Sequence, residues 1–270
     1  MKRIILFFST VLTTLSCNRD TRQQWIEWVF DAPATKAVLS ADGAFSWTQG
    51  DQISLWNTTS SSFVTFTTAS GSGRFSAQAP ASANFVGAAF YPATIATTPS
   101  VVTLPASYSM DALSIGAGMP MYAQVEDGSN LLHFKHLGAY LTIRINQVPG
   151  SIDQLRISSP TVSLSGGFPL TDAAGYKILQ AADGTGDILV SFPHSGIQNY
   201  AFTIPVPVGE YSIRYAAGSA GDPAVLQKYT DTIVFERAHL YKLSAAEPGQ
   251  DFAPLTCETF TLDNDNDYWE

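Results

Sequence analysis

The chain has 270 residues, of which 45% are hydrophobic and only 14% charged. That balance excludes an intrinsically disordered chain, and the length fits two β domains of ordinary size or one large one. A net charge of −9, with 14 Lys and Arg and no basic stripe gathering them, argues against nucleic acid as a partner; polarity comes instead from 27 Ser and 25 Thr, as in many extracellular β proteins.

Lys2 and Arg3 form a short positive start, Ile4 to Leu15 is uncharged, and Ser16-Cys17 comes next. This is the layout of a secretory signal over residues 1–16. As a helix Ile4–Leu15 rises only roughly 18 Å, too short for a hydrocarbon core of roughly 30 Å, so a permanent transmembrane helix is not expected. A small residue followed by Cys at this point resembles a bacterial lipoprotein signal, although Thr14 stands where that pattern usually has Leu. The resemblance implies cleavage before Cys17 and lipid (palmitate included) on that residue, hence an outer-membrane anchor. Several acyl chains hold a protein on a membrane where one binds only marginally. Cys257 then has no intramolecular partner, and no disulfide framework is expected. Residues 17–31 read as a lipidated tether: Arg19, Asp20 and Arg22 look solvated, while Trp25, Ile26, Trp28 and Val29 suit a strand joining the first domain.

Beyond the tether no helical period of useful length appears, and alternation bounded by Gly, Pro, Ser, Asn and Asp is the rule. Phe45/Trp47 and Ile53/Leu55 alternate around a Gly50-Asp51 turn. Strands are expected at 63–67, 74–78, 85–91, 101–104 and 119–125. The run from Leu131 to Asn146 is the longest, with a change of phase near Gly138 that suggests a bulge or bend. Ala112–Gly118 reads as a short helix or loop. Val148-Pro149-Gly150 is a turn signal and the expected boundary between an N-terminal sandwich (32–148) and a C-terminal one (149–247). Further strands are expected at 152–158, 162–164, 176–179, 188–192, 200–206, 211–215 and within 229–243. Short strands at this spacing, without intervening helical segments, point to sandwiches rather than βαβ units. Residues 248–270 form a tail: Thr259, Phe260, Thr261 and Leu262 alternate, and an acidic run from Asp263 closes the chain.

In this order the residues resemble the fimbrillin-like lipoproteins of Bacteroidales bacteria, the major and minor fimbrial subunit group. The resemblance is carried by Thr35-Lys36, by Phe45-Ser46-Trp47 with Gly50-Asp51-Gln52-Ile53-Ser54-Leu55-Trp56, by Tyr91-Pro92 and by Leu104-Pro105-Ala106. It continues with Met119-Pro120-Met121-Tyr122-Ala123, Phe134-Lys135-His136-Leu137-Gly138-Ala139-Tyr140-Leu141, Ser165-Gly166-Gly167-Phe168 and Pro207-Val208-Gly209-Glu210-Tyr211. It implies an all-β fold of two tandem transthyretin-like β-sandwich domains after the lipoprotein signal peptide. It also implies a non-catalytic place in or beside a fimbrium, with other fimbrial subunits as partners through β-strand addition and a host or bacterial surface receptor. In strand addition a row of unpaired backbone groups is satisfied by another chain. The family's removal of an N-terminal strand after arginine makes Arg19, Arg22 and Arg74 candidate processing sites, by residue type alone. Asp231-Thr232-Ile233 resembles the short O-glycosylation motif of this bacterial group. The segment Thr259–Leu262, strand-like and outside both domains, is the candidate donor strand; a tail that is disordered or docked on its own body is the other reading of it. A tail that only donates should be removable with little effect on the body's melting temperature.

Chemistry has little support. His133 and His136 are three apart on an extended segment and point to opposite faces, so they do not form a metal pair; His136 is expected to be structural. His194-Ser195 lacks a nucleophile elbow. Asp263-Asn264-Asp265-Asn266-Asp267 begins like a calcium loop but has Tyr268 where Gly is needed. No catalytic residue, metal or cofactor is assigned. The alternative function is a stand-alone glycan-binding surface lipoprotein. For it Trp25, Trp28 and Trp269 are candidate contacts, while Trp47 and Trp56 are expected in cores.

Overall fold

The computed structural model describes residues 23–30, 47–109, 119–173, 176–192, 196–219, 226–247 and 254–262. Every regular element among them is a strand. In the first half these are β1 (Gln23–Phe30), β2 (Gln52–Asn57), β3 (Ser62–Thr67), β4 (Arg74–Pro80), β5 (Phe85–Tyr91), β6 (Ala96–Thr98), β7 (Val101–Leu104), β8 (Ser107–Ser109), β9 (Met121–Val125), β10 (Leu131–Leu132) and β11 (Lys135–His136). The second half holds β12 (Ala139–Val148), β13 (Gln154–Ser158), β14 (Gly166–Ala173), β15 (Tyr176–Leu179), β16 (Ile188–Ser191), β17 (Gln198–Val206), β18 (Gly209–Tyr211), β19 (Arg214–Gly218), β20 (Leu226–Tyr229), β21 (Ile233–Phe235), β22 (His239–Leu243) and β23 (Cys257–Thr261).

The first core is wrapped by an eight-stranded sheet of order β10-β1-β4-β3-β2-β5-β9-β11. Its two ends, β10 and β11, are consecutive in the chain, with only His133 and Phe134 between them. The sheet therefore curls back on itself, which removes most of its free edge. Alternate residues of each strand turn inward, and aromatic rings fill the space. Trp47 packs edge-on to Phe75 (5.0 Å), Tyr91 (4.9 Å) and Phe134 (6.1 Å), and each such pair adds about 0.5–1.5 kcal/mol beyond burial.

The second core lies between two sheets, β17-β12-β22-β23 and β20-β19-β13-β16-β8. Ala139, Leu141, Ile143 and Ile145 of β12 point into it, whereas Tyr140 turns the other way into the first core. The alternation of Leu141, Ile143 and Ile145 with Thr142, Arg144 and Asn146 holds along β12, and Tyr140 and Thr142 are buried on its second face as well. Val148, at the expected boundary, lies inside this core at the end of β12. The chain passes from one core to the other earlier, at Leu137-Gly138, where a Cβ on Gly138 would stand 2.7 Å from the Val206 carbonyl oxygen. The change of phase seen in the sequence at Gly138 is this crossing.

A third, smaller core fills the space under the sheet β15-β14-β7-β6. Phe90, Val102, Leu104, Leu137, Phe168 and Leu179 form it, with Trp56 and Phe63 at its margin. β5 feeds two cores: Ala89 and Tyr91 face the first, Ala88 and Phe90 the third. The Tyr176 ring receives both Lys135 Nζ (4.4 Å) and the Arg237 guanidinium (4.1 Å), clamping β15 to the segments around β11 and β22.

Candidate functional site

β23 is the outer strand of the sheet β17-β12-β22-β23. It pairs antiparallel with β22 in five registered positions, from His239↔Thr261 to Leu243↔Cys257. Flanking backbone bonds extend the docking: Leu255 N donates to Tyr229 O (3.0 Å), Ser244 N to Thr256 O (2.8 Å) and Leu262 N to Ala238 O (2.9 Å). The candidate donor residues thus lie along the chain's own β22. Thr259, Phe260 and Thr261 are exposed, Phe260 at 44% with Lys242 Nζ 4.3 Å from its ring. Leu262 differs: it is fully buried and belongs to the first core with Tyr140 and Leu240. The tail therefore ties the five-stranded sheet, β22 and the first core together. A deletion cannot leave the body untouched, because it takes one of the first core's side chains with it.

Cys257, half-buried on the same strand, has its thiol pushed up by burial and then by the Glu258 charge. Next to it Tyr241 accepts from Glu236 N (2.8 Å) and donates to Val234 O (2.7 Å). Burial raises the Tyr241 phenol first; the bond from Glu236 works against that, and the Glu236 and Cys257 charges add to it.

At the other end of the chain, β1 is an interior strand. It pairs antiparallel with β4 over seven positions, Gln23↔Pro80 to Val29↔Arg74, and parallel with β10 at Val29↔Leu131 and Phe30↔Leu132. Residues 23–30, the aromatic part of the expected tether, form this strand. Trp28 is buried against Phe85 (6.4 Å between ring centres) and presents no face to a sugar. Trp25 is 71% exposed. Cys17, Arg19, Arg22, His194, Ser195, Trp269 and the acidic run from Asp263 lie outside the described residues, as do 112–118.

Arg74 opens β4, with its Nη1 2.5 Å from Glu27 Oε1 of β1. The bond after Arg74 leads into Phe75, a buried neighbour of Trp47. No Lys or Arg occurs between Gln23 and Phe30, and Lys36 is the first beyond. Cleavage after Arg19 or Arg22 leaves β1 whole, and cleavage after Arg74 cuts inside a paired strand.

His136 is buried with Nδ1 2.6 Å from the Tyr140 hydroxyl, which also donates to Pro120 O (3.3 Å). That is a hydrogen-bonded core position. Among the described residues no group of three or more His, Cys, Asp or Glu is placed to hold a metal ion. Several phenols are held neutral by burial: Tyr108, Tyr211 and Tyr215 have that as their first cause, and Tyr91 adds the charge and hydrogen bond of Asp51. One concavity among the described residues was not singled out in the sequence: it lies on the outer face of β13, β19 and β20. Thr232 of the glycosylation-like motif is exposed at its rim. Its only sequence signal is alternation of polar residues in three separate strands.

No protein-family model and no curated protein matches the chain. Among solved structures it is similar to a "putative cell adhesion protein" of Bacteroides ovatus, with a TM-score of 0.52 and 13% identity over 88% of this chain and 96% of that one. It is also similar to a protein of the same description from Parabacteroides distasonis (TM-score 0.37, 12% identity, 89% and 96% covered). A third is the tip fimbrial protein Mfa3 of Porphyromonas gingivalis with a C-terminal truncation (TM-score 0.36, 10% identity, 87% and 97% covered). At 13% identity the first likeness speaks to fold, and what it establishes is that this chain has an all-β fold similar, along nearly its whole length, to that of the Bacteroides ovatus protein.

Proposed function

We propose that this chain is a non-catalytic cell-surface protein of the fimbrial and adhesion type, built of tandem transthyretin-like sandwiches, lipid-anchored in the outer membrane through Cys17, and joined to fimbrial partners by β-strand addition. The observation that carries the assembly part is β23, a five-residue strand with exposed side chains, held on β22 by backbone pairs and at its end by the single apolar plug of Leu262. The β22 edge that it covers is one that a strand from another subunit can occupy with the same pairs. Lipid kept on Cys17, with β1 held in its sheet, supports an anchor or accessory role over that of a stalk subunit that must shed a strand; cleavage after Arg19 or Arg22 would leave β1 in place but part it from the lipid.

The test is strand exchange. A labelled peptide spanning 254–262 is incubated with the full chain and with its Leu262→Ala variant, whose own plug is lost. Stable incorporation is expected in the variant, whose tethered tail lacks the leucine that the peptide brings, and little in the parent, whose own tail competes at high local concentration; the reading fails if the variant takes up no peptide while it remains folded. The lipid part is checked apart from it: Cys17→Ala should move the protein from the membrane to the soluble fraction, and unaltered membrane association refutes the anchor.

A further inference from the structure

Three strands of the second core's five-stranded sheet place long polar side chains around a short one. Arg156, Ala216 and Gln227 stand in one registered row across β13, β19 and β20, and Ser158, Arg214 and Tyr229 in the next. Registered neighbours share a face, and this one points to solvent while Leu155, Ile157 and Ala217 fill the core behind it. Ala216 is therefore a low floor ringed by two guanidinium groups, an amide and a phenol. The resulting concavity measures about 690 Å³, a size typical of small-ligand sites. Its far end carries Ser212, Thr230, Asp231 and Thr232 beside Lys228.

The charge of this place runs against that of the chain. Arg156 and Arg214 stand on it against the one carboxylate of Asp231, with Lys228 buried at its edge, in a protein of net charge −9 with 14 basic residues in all. Among the described residues Arg156 has only Asp187 at 3.7 Å, a loose and exposed pair. Arg214 has no ion pair among the described residues. Two guanidinium forks on one surface offer the bidentate donors that carboxylates and sulfates accept. The remaining lining is hydroxyl and amide, suited to a ligand rich in hydroxyls, and Tyr229 (39% exposed) supplies a ring face. The guanidinium forks stand on the face of the sheet, away from the margin of its outer strand β20, where a peptide strand would pair.

We propose that this concavity binds an acidic saccharide: Arg156 and Arg214 hold its carboxylate or sulfate, the hydroxyl-bearing end bonds its ring hydroxyls, and Tyr229 packs on a sugar face. The inference goes beyond strand-mediated assembly and depends on no step of it.

Titration of the full mature chain with tri-galacturonate, a sulfated disaccharide, neutral galactotriose, inorganic phosphate and hexaglutamate tests it. At least one acidic saccharide should bind at least about tenfold more tightly than galactotriose, a difference of about 1.4 kcal/mol, and should weaken as salt is added. Arg156→Gln and Arg214→Gln should each weaken it about tenfold, and Tyr229→Ala should weaken the saccharide but not phosphate. All three side chains stand on the solvent face; should one variant melt abnormally, Ala216→Leu fills the floor with every charge kept and must also abolish binding. The proposal is overturned if neither acidic saccharide binds at millimolar concentration, if galactotriose binds equally well, or if the substitutions leave affinity unchanged. Phosphate competing as well as the saccharide, with Tyr229→Ala inert, reduces the site to an anion hole; hexaglutamate binding more tightly makes it a peptide site. Either result overturns the saccharide assignment. Loss of saccharide binding with peptide exchange intact, or the reverse, separates this inference from the assembly reading.

Discussion

Replacing Leu262 with alanine should unseat the C-terminal strand. The magnitude comes from how that strand is held. Its five pairs with β22 use residues whose side chains are exposed or half-buried. Each backbone hydrogen bond contributes a net ~0.5–1.5 kcal/mol, while fixing each residue costs roughly 1–2 kcal/mol, so the pairing by itself comes out near zero. Leu262 is fully buried in the first core and supplies the surplus; truncating a buried Leu to Ala costs about 2–5 kcal/mol. A loss of about 3 kcal/mol in a body of this size lowers the melting temperature by roughly 6–12 °C. Deleting residues 254–270 should produce a similar drop, because the tail's whole contribution runs through that side chain. Phe260→Ala, on the exposed face, serves as the control and should change stability by less than about 1 kcal/mol. Thermal melts followed by circular dichroism and by tryptophan emission measure this, since Trp28 and Trp47 sit in the same core as Leu262. Alkylation of Cys257 gives a local reading: burial keeps its thiol protonated, and undocking in the variant should speed the reaction more than about tenfold. If Leu262→Ala melts within about 2 °C of the parent, or no differently from Phe260→Ala, the plug does not hold the tail and the reasoning is refuted.

Gly138→Ala places a methyl 2.7 Å from the Val206 carbonyl at the crossing between cores; a destabilisation of about 1–3 kcal/mol is expected in urea melts. Tyr140→Phe takes away the hydroxyl 2.6 Å from buried His136 Nδ1 and should cost about 1–3 kcal/mol. Alkaline titration should show delayed ionisation of the buried phenols. Tyr91, Tyr108, Tyr211 and Tyr215 have folded pKa values raised above 10 by burial, so their stabilisation is complete below the unfolded value of about 10 and is lost as pH rises through the folded ones. Tyrosinate absorbance should therefore rise cooperatively with unfolding above about pH 10, and a smooth titration of all tyrosines before unfolding would contradict the packing.

Strands with local signals were legible in the sequence. Phe85–Tyr91, Val101–Leu104 and Tyr176–Leu179 coincide with β5, β7 and β15, because alternation and turn residues mark both ends. β14 was hidden by Gly166, Gly167 and Pro169. Proline is tolerated there because β14 pairs with β7 through residue 169 and with β15 only from residue 170, so no ladder needs its missing N–H. Val162–Leu164, expected as a strand, forms the bridge Val162↔Asp183 and backbone bonds from Ser163 N to Ala182 O and from Leu164 N to Gly186 O, without a regular ladder. What local pattern does not carry is partnership. The parallel pairs β12–β22 and β16–β8, and the pairing of β7 with β14, join segments far apart in the chain. For the same reason the cation-lined concavity was invisible: Arg156, Arg214 and Tyr229 become neighbours only once β13, β19 and β20 are in register. The tail's strand was readable from Thr259–Leu262, but its anchor was not, since nothing local says that Leu262 turns into a core built mostly by residues 28 to 140.

A docked tail bears on how strand addition would proceed. In cis and in trans the strand makes the same pairs with β22 and inserts the same leucine, so the two arrangements differ little in contact energy. What separates them is concentration. The tail is joined to Glu247 by a short connection, and such tethering gives a local concentration in the millimolar range that free subunits in solution do not match. Exchange is favoured where subunits are held side by side, or where a partner's strand offers a better plug than Leu262. Lipid on Cys17 would supply the first condition by confining the chains to one membrane surface. On this argument the isolated chain is monomeric at micromolar concentration and exchanges strands on vesicles bearing it at high density. Equal exchange in solution and on vesicles would mean that crowding on the membrane is not what drives assembly.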